Sequence, residues 1–248
     1  MKIRSFFILV TLFFSLHNYS QSNVRPASDL AGGYNFSVPE IYHTQRIKQE
    51  FFDQIAKDIK IDPKDLKGTP YLYDTFLPGK ISDDLTGKKV DVYLRYNVYN
   101  DIFEVKYDLS SDEIFGFLKN TGYHAEINSD KFFYKAFPDD KNATKEGYLQ
   151  ELMKTDNFIL YKRHYQKLHM PKPAKTSLET DVPGRISDHQ HYYLRSGEKF
   201  LLLPMNKKKI ANAFPKHQNE LKSFIKKEKL KFKQEKDLIT LIKYFNTL

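Results

Sequence analysis

The twenty residues from Val90 to Leu109 restrict what this chain can fold into more than any other segment. Val90, Val92, Leu94, Tyr96 and Val98 alternate with Asp91, Tyr93, Arg95, Asn97 and Tyr99, which is the period of a strand with one buried face. The return leg alternates as well, with Phe103, Val105, Tyr107 and Leu109 between Glu104, Lys106 and Asp108. A two-residue turn at Asn100-Asp101 sets Val98 opposite Phe103, Tyr96 opposite Val105, Leu94 opposite Tyr107 and Val92 opposite Leu109, all on one face. A slip of one residue would carry Glu104, Lys106 and Asp108 into the core, so the alternation itself selects the pairing.

Similar signals recur downstream. Tyr148 to Lys154 and Phe158 to Tyr165 flank Thr155-Asp-Asn157, and His191 to Arg195 and Lys199 to Leu203 flank Ser196-Gly-Glu198. Upstream, Gly68 to Gly79 reads as an extended segment ending in the turn dipeptide Pro78-Gly79. Gln166 to Arg185, with Pro171, Pro173 and Pro183, reads as a long exposed loop. Asn23 to Gly68 is weakly periodic, with one short helix expected around Gln45 to Lys57. After Pro204 the period becomes helical. Asn206 can cap a helix carrying Ile210 and Phe214, Gln218 to Lys229 puts Leu221, Phe224 and Ile225 on one side, and Glu235 to Asn246 gathers Leu238, Leu241, Ile242 and Phe245. With 20 Phe and 17 Tyr available for burial, the expected fold class is α+β. It consists of an antiparallel, aromatic-rich β-sheet built from hairpins, curved or partly closed, followed by two or three C-terminal helices packed on it.

The N-terminus carries an address. Lys2 and Arg4 precede an apolar run from Phe6 to Leu16 and a short polar stretch from His17 to Ser22, the pattern of a secretory signal peptide, with cleavage expected near Ser20 or Ser22. The run is about half of the roughly 20 residues a spanning helix needs, and no later stretch supplies a transmembrane span for the mature chain. The organisation expected is therefore signal peptide 1–22, a mainly β domain 23–205 and a basic helical C-terminal subdomain 206–248. Export predicts a periplasmic or extracellular protein. The absence of cysteine excludes lipoprotein acylation, disulfides, thiol catalysis and thiolate metal sites.

The formal charge of +9 is unevenly placed. Asn206 to Leu248 holds 12 Lys and 4 acidic residues, a net of +8, and Lys2 and Arg4 carry a further +2, which leaves −1 for Asn23 to Met205. The basicity belongs to the tail.

Several motifs stand out along this layout: Lys67-Gly68-Thr69-Pro70-Tyr71-Leu72 followed by Phe76 and Gly79, Leu94-Arg95-Tyr96-Asn97-Val98-Tyr99-Asn100-Asp101 with Glu104, Ala174-Lys175-Thr176 before Tyr192-Tyr193-Leu194, and the closing lysine-rich helices. In this combination the chain resembles a group of secreted proteins of Bacteroidota, Gram-negative bacteria, for which no activity is known. The resemblance implies an envelope compartment and a fold type, and it brings no catalytic residues with it. A turn in an alternating segment explains the same motifs structurally.

Candidate chemistry is sparse. His189 and His191 are separated by one residue, so on a strand both imidazoles point to one side and could share a metal, although a third ligand is needed and His124, His164 and His169 are merely available; the alternative is a pair of exposed strand histidines. No G-x-S-x-G elbow, H-E-x-x-H motif, P-loop or dinucleotide fingerprint is present. Asp83-Asp84 and Asp139-Asp140 read as solvated turns, and no catalytic residue or cofactor is expected. Lys222, Lys226, Lys227, Lys229, Lys231 and Lys233 form a candidate surface for an anionic envelope component or an acidic protein. Nucleic acid is disfavoured after export, and the tail has no arginine for bidentate base contacts. The leading expectation is a non-enzymatic envelope binding or accessory protein; the alternative is a secreted hydrolase whose site converges only in space.

Overall fold

The computed structural model of the chain describes residues 66–117, 119–176 and 178–248. The segment expected to be a signal peptide and the helix expected near Gln45 to Lys57 lie outside them. Ten strands form one antiparallel sheet: β1 (Leu77–Asp83), β2 (Lys89–Asn97), β3 (Ile102–Lys106), β4 (Phe115–Gly116), β5 (Tyr123–Ile127), β6 (Asp130–Pro138), β7 (Thr144–Lys154), β8 (Ile159–His169), β9 (Arg185–Ser196) and β10 (Lys199–Leu203). Their order is β10-β9-β8-β7-β6-β5-β1-β2-β3-β4, so the ladder does not close, and its edges are the two-residue β4 and the five-residue β10. Two α-helices follow, α1 (Gln218–Lys227) and α2 (Glu235–Phe245). No helix among the described residues is long and apolar enough to cross a membrane.

Alternation along each strand separates two faces. One bears Ile81, Val92, Leu94, Tyr96, Phe103, Val105, Ala125, Ile127, Phe132 and Tyr148, which form a buried cluster dominated by rings. Tyr96 stacks on Phe103 with centroids 4.5 Å apart, and Phe103 meets Tyr148 edge-on at 4.8 Å. The opposite face bears a smaller core of Phe137, Leu149, Tyr161 and Tyr193. β6 and β7 contribute to both.

The β2 and β3 legs pair two residues away from the expected register. Tyr96 faces Phe103, Leu94 faces Val105 and Asn97 faces Ile102, leaving a four-residue loop over positions 98–101 where a two-residue turn was expected. A shift of two preserves the buried face, so the alternation could not distinguish the registers. The longer loop has a physical reason in its neighbours. The Val98 N–H donates to the Pro70 carbonyl and the Leu72 N–H to the Tyr96 carbonyl, so the end of β2 pairs with the 70–72 segment. The Asn97 side chain accepts the Asn100 N–H, and Asp101 adopts a positive φ of 53°.

Two other boundaries move. β8 continues to His169 and β9 begins at Arg185, so the expected 166–185 loop loses only its ends to strand and the connection spans 170–184. The helix expected from Asn206 is instead a pair of 3-10 turns, Ile210–Ala213 and Pro215–His217, because Pro215 interrupts the hydrogen-bonding pattern. Asn206 still receives the Lys208 N–H on its side chain.

The tail docks through apolar residues. Ile210, Phe214, Leu221, Ile225, Leu230, Phe232, Leu238, Leu241 and Ile242 share one buried cluster with Leu160, Tyr192, Leu194 and Leu203 of the sheet. Phe245 is half-buried and packs its ring 4.4 Å from Phe214 and 5.0 Å from Phe158. α1 ends with the Leu230 N–H on the Ile225 carbonyl and the Lys229 N–H on the Lys226 carbonyl, while Lys229 turns to φ 54°. This is a Schellman closure with lysine where glycine is usual, and it brings the buried pair Ile225 and Leu230 together.

Candidate functional site

The tail places its lysines by the same periodicity that buries its apolar side. Leu221 and Ile225 point inward from α1, so Lys222, Lys226 and Lys227 must lie on the outer side, and all three are exposed. The chain then reverses at Lys229 and bends again at Phe232, whose φ is 56°, before α2 begins; Leu230 and Phe232 are buried, and the alternating Lys229, Lys231 and Lys233 are exposed. Asp237 in the first turn of α2 accepts the Lys231 and Phe232 N–H groups at 3.1 and 2.8 Å, which fixes this connection to the helix. The six lysines form no ion pair among the described residues.

A polar clamp sets the orientation of this surface. Glu235, the first residue of α2, receives Lys162 Nζ at 2.9 Å and lies 3.1 Å from the Tyr192 hydroxyl. A carboxylate at this end of a helix is favoured by the helix dipole. Burial, followed by the Glu235 charge, pushes the Tyr192 hydroxyl well above the usual phenol range and keeps it a neutral donor.

His189 and His191 do share the side of β9 that alternation predicts, yet each has a different partner. His191 Nε2 is 3.2 Å from the Tyr165 hydroxyl, while His189 Nε2 is 3.0 Å from Ser187 Oγ. The same hydroxyl lies 2.7 Å from His169 Nε2 across the β8–β9 pair. Tyr165 stacks between the two, its ring centroid 5.2 Å from His189 and 4.7 Å from His191. The Ser187 hydroxyl has one proton to donate, and the Lys167 carbonyl lies 3.5 Å from it, so at most one of the two rings can accept from Ser187. Burial lowers the His191 pKa, and the nearby Asp140 charge opposes that shift. Among the described residues no group of three His, Asp or Glu side chains is gathered as a metal-ligand set.

His124 and His164 lie apart from this group. His124 pairs with Asp84 at 2.5 Å on β5, and His164 is buried on the opposite face from His191 with its Nε2 2.7 Å from Gln150 Oε1. The adjacent acidic pairs occupy turns: Asp83 accepts the Leu85 and Thr86 N–H groups, and Asp139 accepts those of Lys141 and Ala143.

Sequence reasoning did not reveal the densest polar centre. Arg163 donates to Asp101 Oδ1 at 2.8 Å, to the Tyr96 hydroxyl at 2.9 Å and to the Tyr148 carbonyl at 3.2 Å, and Asp101 receives the Tyr148 N–H at 3.3 Å. β7 and β8 are paired only as far as Gln150 and Lys162, so these two side chains supply partners to β7 where the ladder ends. Gly147 makes room for them: a Cβ there would lie 3.0 Å from the Arg163 guanidinium carbon. The isolated Asp101 and the lone glycine in an alternating strand were the available signals.

The chain matches no protein-family model, no curated protein and no solved structure.

Proposed function

We propose that this is an exported, non-enzymatic binding or accessory protein of the bacterial envelope, periplasmic or extracellular, that meets an anionic partner through Lys222, Lys226, Lys227, Lys229, Lys231 and Lys233. The observation that carries this reading is the exposure of all six lysines on a segment whose apolar side packs on the core. A cationic surface on a rigid support attracts anionic lipid headgroups, charged polysaccharide or acidic proteins at long range, and salt weakens that attraction. The N-terminal signal pattern and the resemblance to secreted Bacteroidota proteins support the compartment. The sheet is taken to be built from successive hairpins and to curl, which is supported by the 4.8 Å contact of Phe103 with Tyr148 although β3 and β7 are five inter-strand spacings apart, each of roughly 4.8 Å.

The test is cosedimentation with vesicles containing phosphatidylglycerol, set against pure phosphatidylcholine, across a salt series. Binding to the anionic vesicles should weaken about tenfold or more when the six lysines become glutamine, at roughly 1 kcal/mol per lysine near a charged surface. Association that persists in high salt and in the substituted protein would refute the electrostatic role. N-terminal sequencing of protein recovered outside the cytoplasm tests export independently.

A further inference from the structure

A second surface has the opposite chemistry. Across β2, β1 and β5 the register places Lys80 directly between Asp91 and Glu126, on the face opposite the large aromatic cluster. Together with the rings of Tyr93 and Tyr107 and the tight turn at Asn128 and Ser129, these residues line an open cleft of about 470 Å³. That volume is in the range of small-ligand sites, which span roughly 300–1,000 Å³.

Most polar side chains of this cleft have no partner among the described residues. Four phenol–carboxylate pairs stand elsewhere in the sheet and beside it: Tyr71 with Glu104, Tyr96 with Asp101, Tyr134 with Glu146 and Tyr192 with Glu235. In the cleft, Lys80 reaches Asp91 at 3.6 Å, whereas the side chains of Tyr93, Glu126, Asn128 and Ser129 have no hydrogen-bond partner among the described residues. Asn128 and Ser129 both hold positive φ, 51° and 74°, a backbone that non-glycine residues adopt at a cost and that here projects two short polar side chains beside the strands.

We propose that this cleft is a binding site for an uncharged saccharide. Tyr93, half-buried on its strand, offers its ring to the C–H side of a sugar, and Tyr107, whose ring meets Phe115 edge-on at 5.5 Å, lines the wall beside it. Glu126, Asn128, Ser129 and the Tyr93 hydroxyl offer neighbouring donors and acceptors to its hydroxyl groups. One ammonium between two carboxylates makes the cleft acidic, so it repels the phosphates and carboxylates that the lysine surface would attract. The two surfaces therefore select different ligands, and the saccharide site stands or falls separately from the electrostatic one.

The experiment is a two-dimensional amide NMR titration of the protein with chitotriose, cellotriose and maltotriose, each to roughly 10 mM, a range that detects millimolar affinity. At least one sugar should shift the amides of Lys80, Asp91, Tyr93, Glu126 and Asn128, and binding should weaken about tenfold or more in Tyr93→Ala and in Glu126→Gln. Glu126→Gln preserves side-chain shape and a partly exposed position, so it keeps the test valid if the tyrosine variant folds poorly. The proposal is overturned if no sugar perturbs these amides, if the shifts map to the lysine tail, or if Glu126→Gln binds as the unaltered protein does.

Discussion

His164 shows how one buried residue ties stability to pH. It is 8% exposed, and burial, reinforced by Lys162 and Arg163, pulls its pKa from an ordinary value of 6.5 down to about 3. Its neutral Nε2–H donates to the Gln150 side-chain oxygen. The unfolded chain thus binds a proton that the folded chain refuses between about pH 6.5 and about pH 3. The sign follows: this contribution is fully present above pH 6.5 and is lost as pH falls through that window, by an amount on the order of a few kcal/mol. The melting temperature should fall on acidification from pH 7 to pH 4, and His164→Gln should flatten that slope. A variant with an unchanged slope would show that other groups govern the acid response.

Arg163 and Asp101 present the complementary case of a charge that must be matched. Each side chain is 13% exposed, and the pair holds the Tyr148 backbone where β7 leaves β8. Asp101→Ala should lower stability by roughly 3–5 kcal/mol in urea titrations, because it strands a buried guanidinium. Replacing both members with uncharged residues of similar size should cost less than this single change, since the pair itself was expensive to desolvate. Equal losses in the single and double variants would show that Asp101 acts only through its backbone conformation.

At the scale of elements, α2 is held by burial and α1 by how the chain leaves it. Leu238, Leu241 and Ile242 are fully buried in the cluster that α2 shares with β8, β9 and β10, whereas Phe245 is only half-buried at its end. Leu238→Ala should therefore cost roughly 2–5 kcal/mol, more than Phe245→Ala relative to its size, and deletion of residues 206–248 should lower the melting temperature markedly. Substituting the six lysines should leave thermal stability nearly unchanged, because none forms an ion pair among the described residues. The contrast separates a docked tail from a detachable one: an unaltered melting temperature in the truncated chain would refute docking.

At the scale of the molecule, the two sides of the sheet are not independent. Phe132, Tyr148 and their neighbours in the large cluster alternate along β6 and β7 with Phe133, Phe137 and Leu149 of the smaller one. The helices then cover β8 to β10 on the first of these faces. Unfolding one core exposes the strands that build the other, so urea transitions followed by far-ultraviolet circular dichroism and by tyrosine fluorescence should coincide. Separated transitions would mean that the β7–β8 divergence at Tyr148 divides the sheet into two cooperative units.

The sequence by itself determined the antiparallel sheet, the aromatic content of its core and the two helices that close the chain, since strand and helix periodicities are local and strong in Val90–Tyr99, Tyr148–Lys154 and Gln218–Lys227. By helical periodicity it also marked Leu221, Ile225, Leu238, Leu241 and Ile242 as buried, whereas Phe224 and Phe245 are only half-buried and the buried Leu230 and Phe232 lie in the connection between the helices. The register of β2 against β3 was beyond it, because registers two residues apart bury the same side chains; hydrogen bonds from the 70–72 segment, distant in sequence from Val98, made the choice. The open order of the sheet, the Arg163–Asp101 pair across 62 positions, the separate partners of His189 and His191, and the row of Asp91, Lys80 and Glu126 were likewise decided only by the tertiary structure. Periodicity states which way a side chain points from its own strand. What it meets there is set by the strands that fold against it.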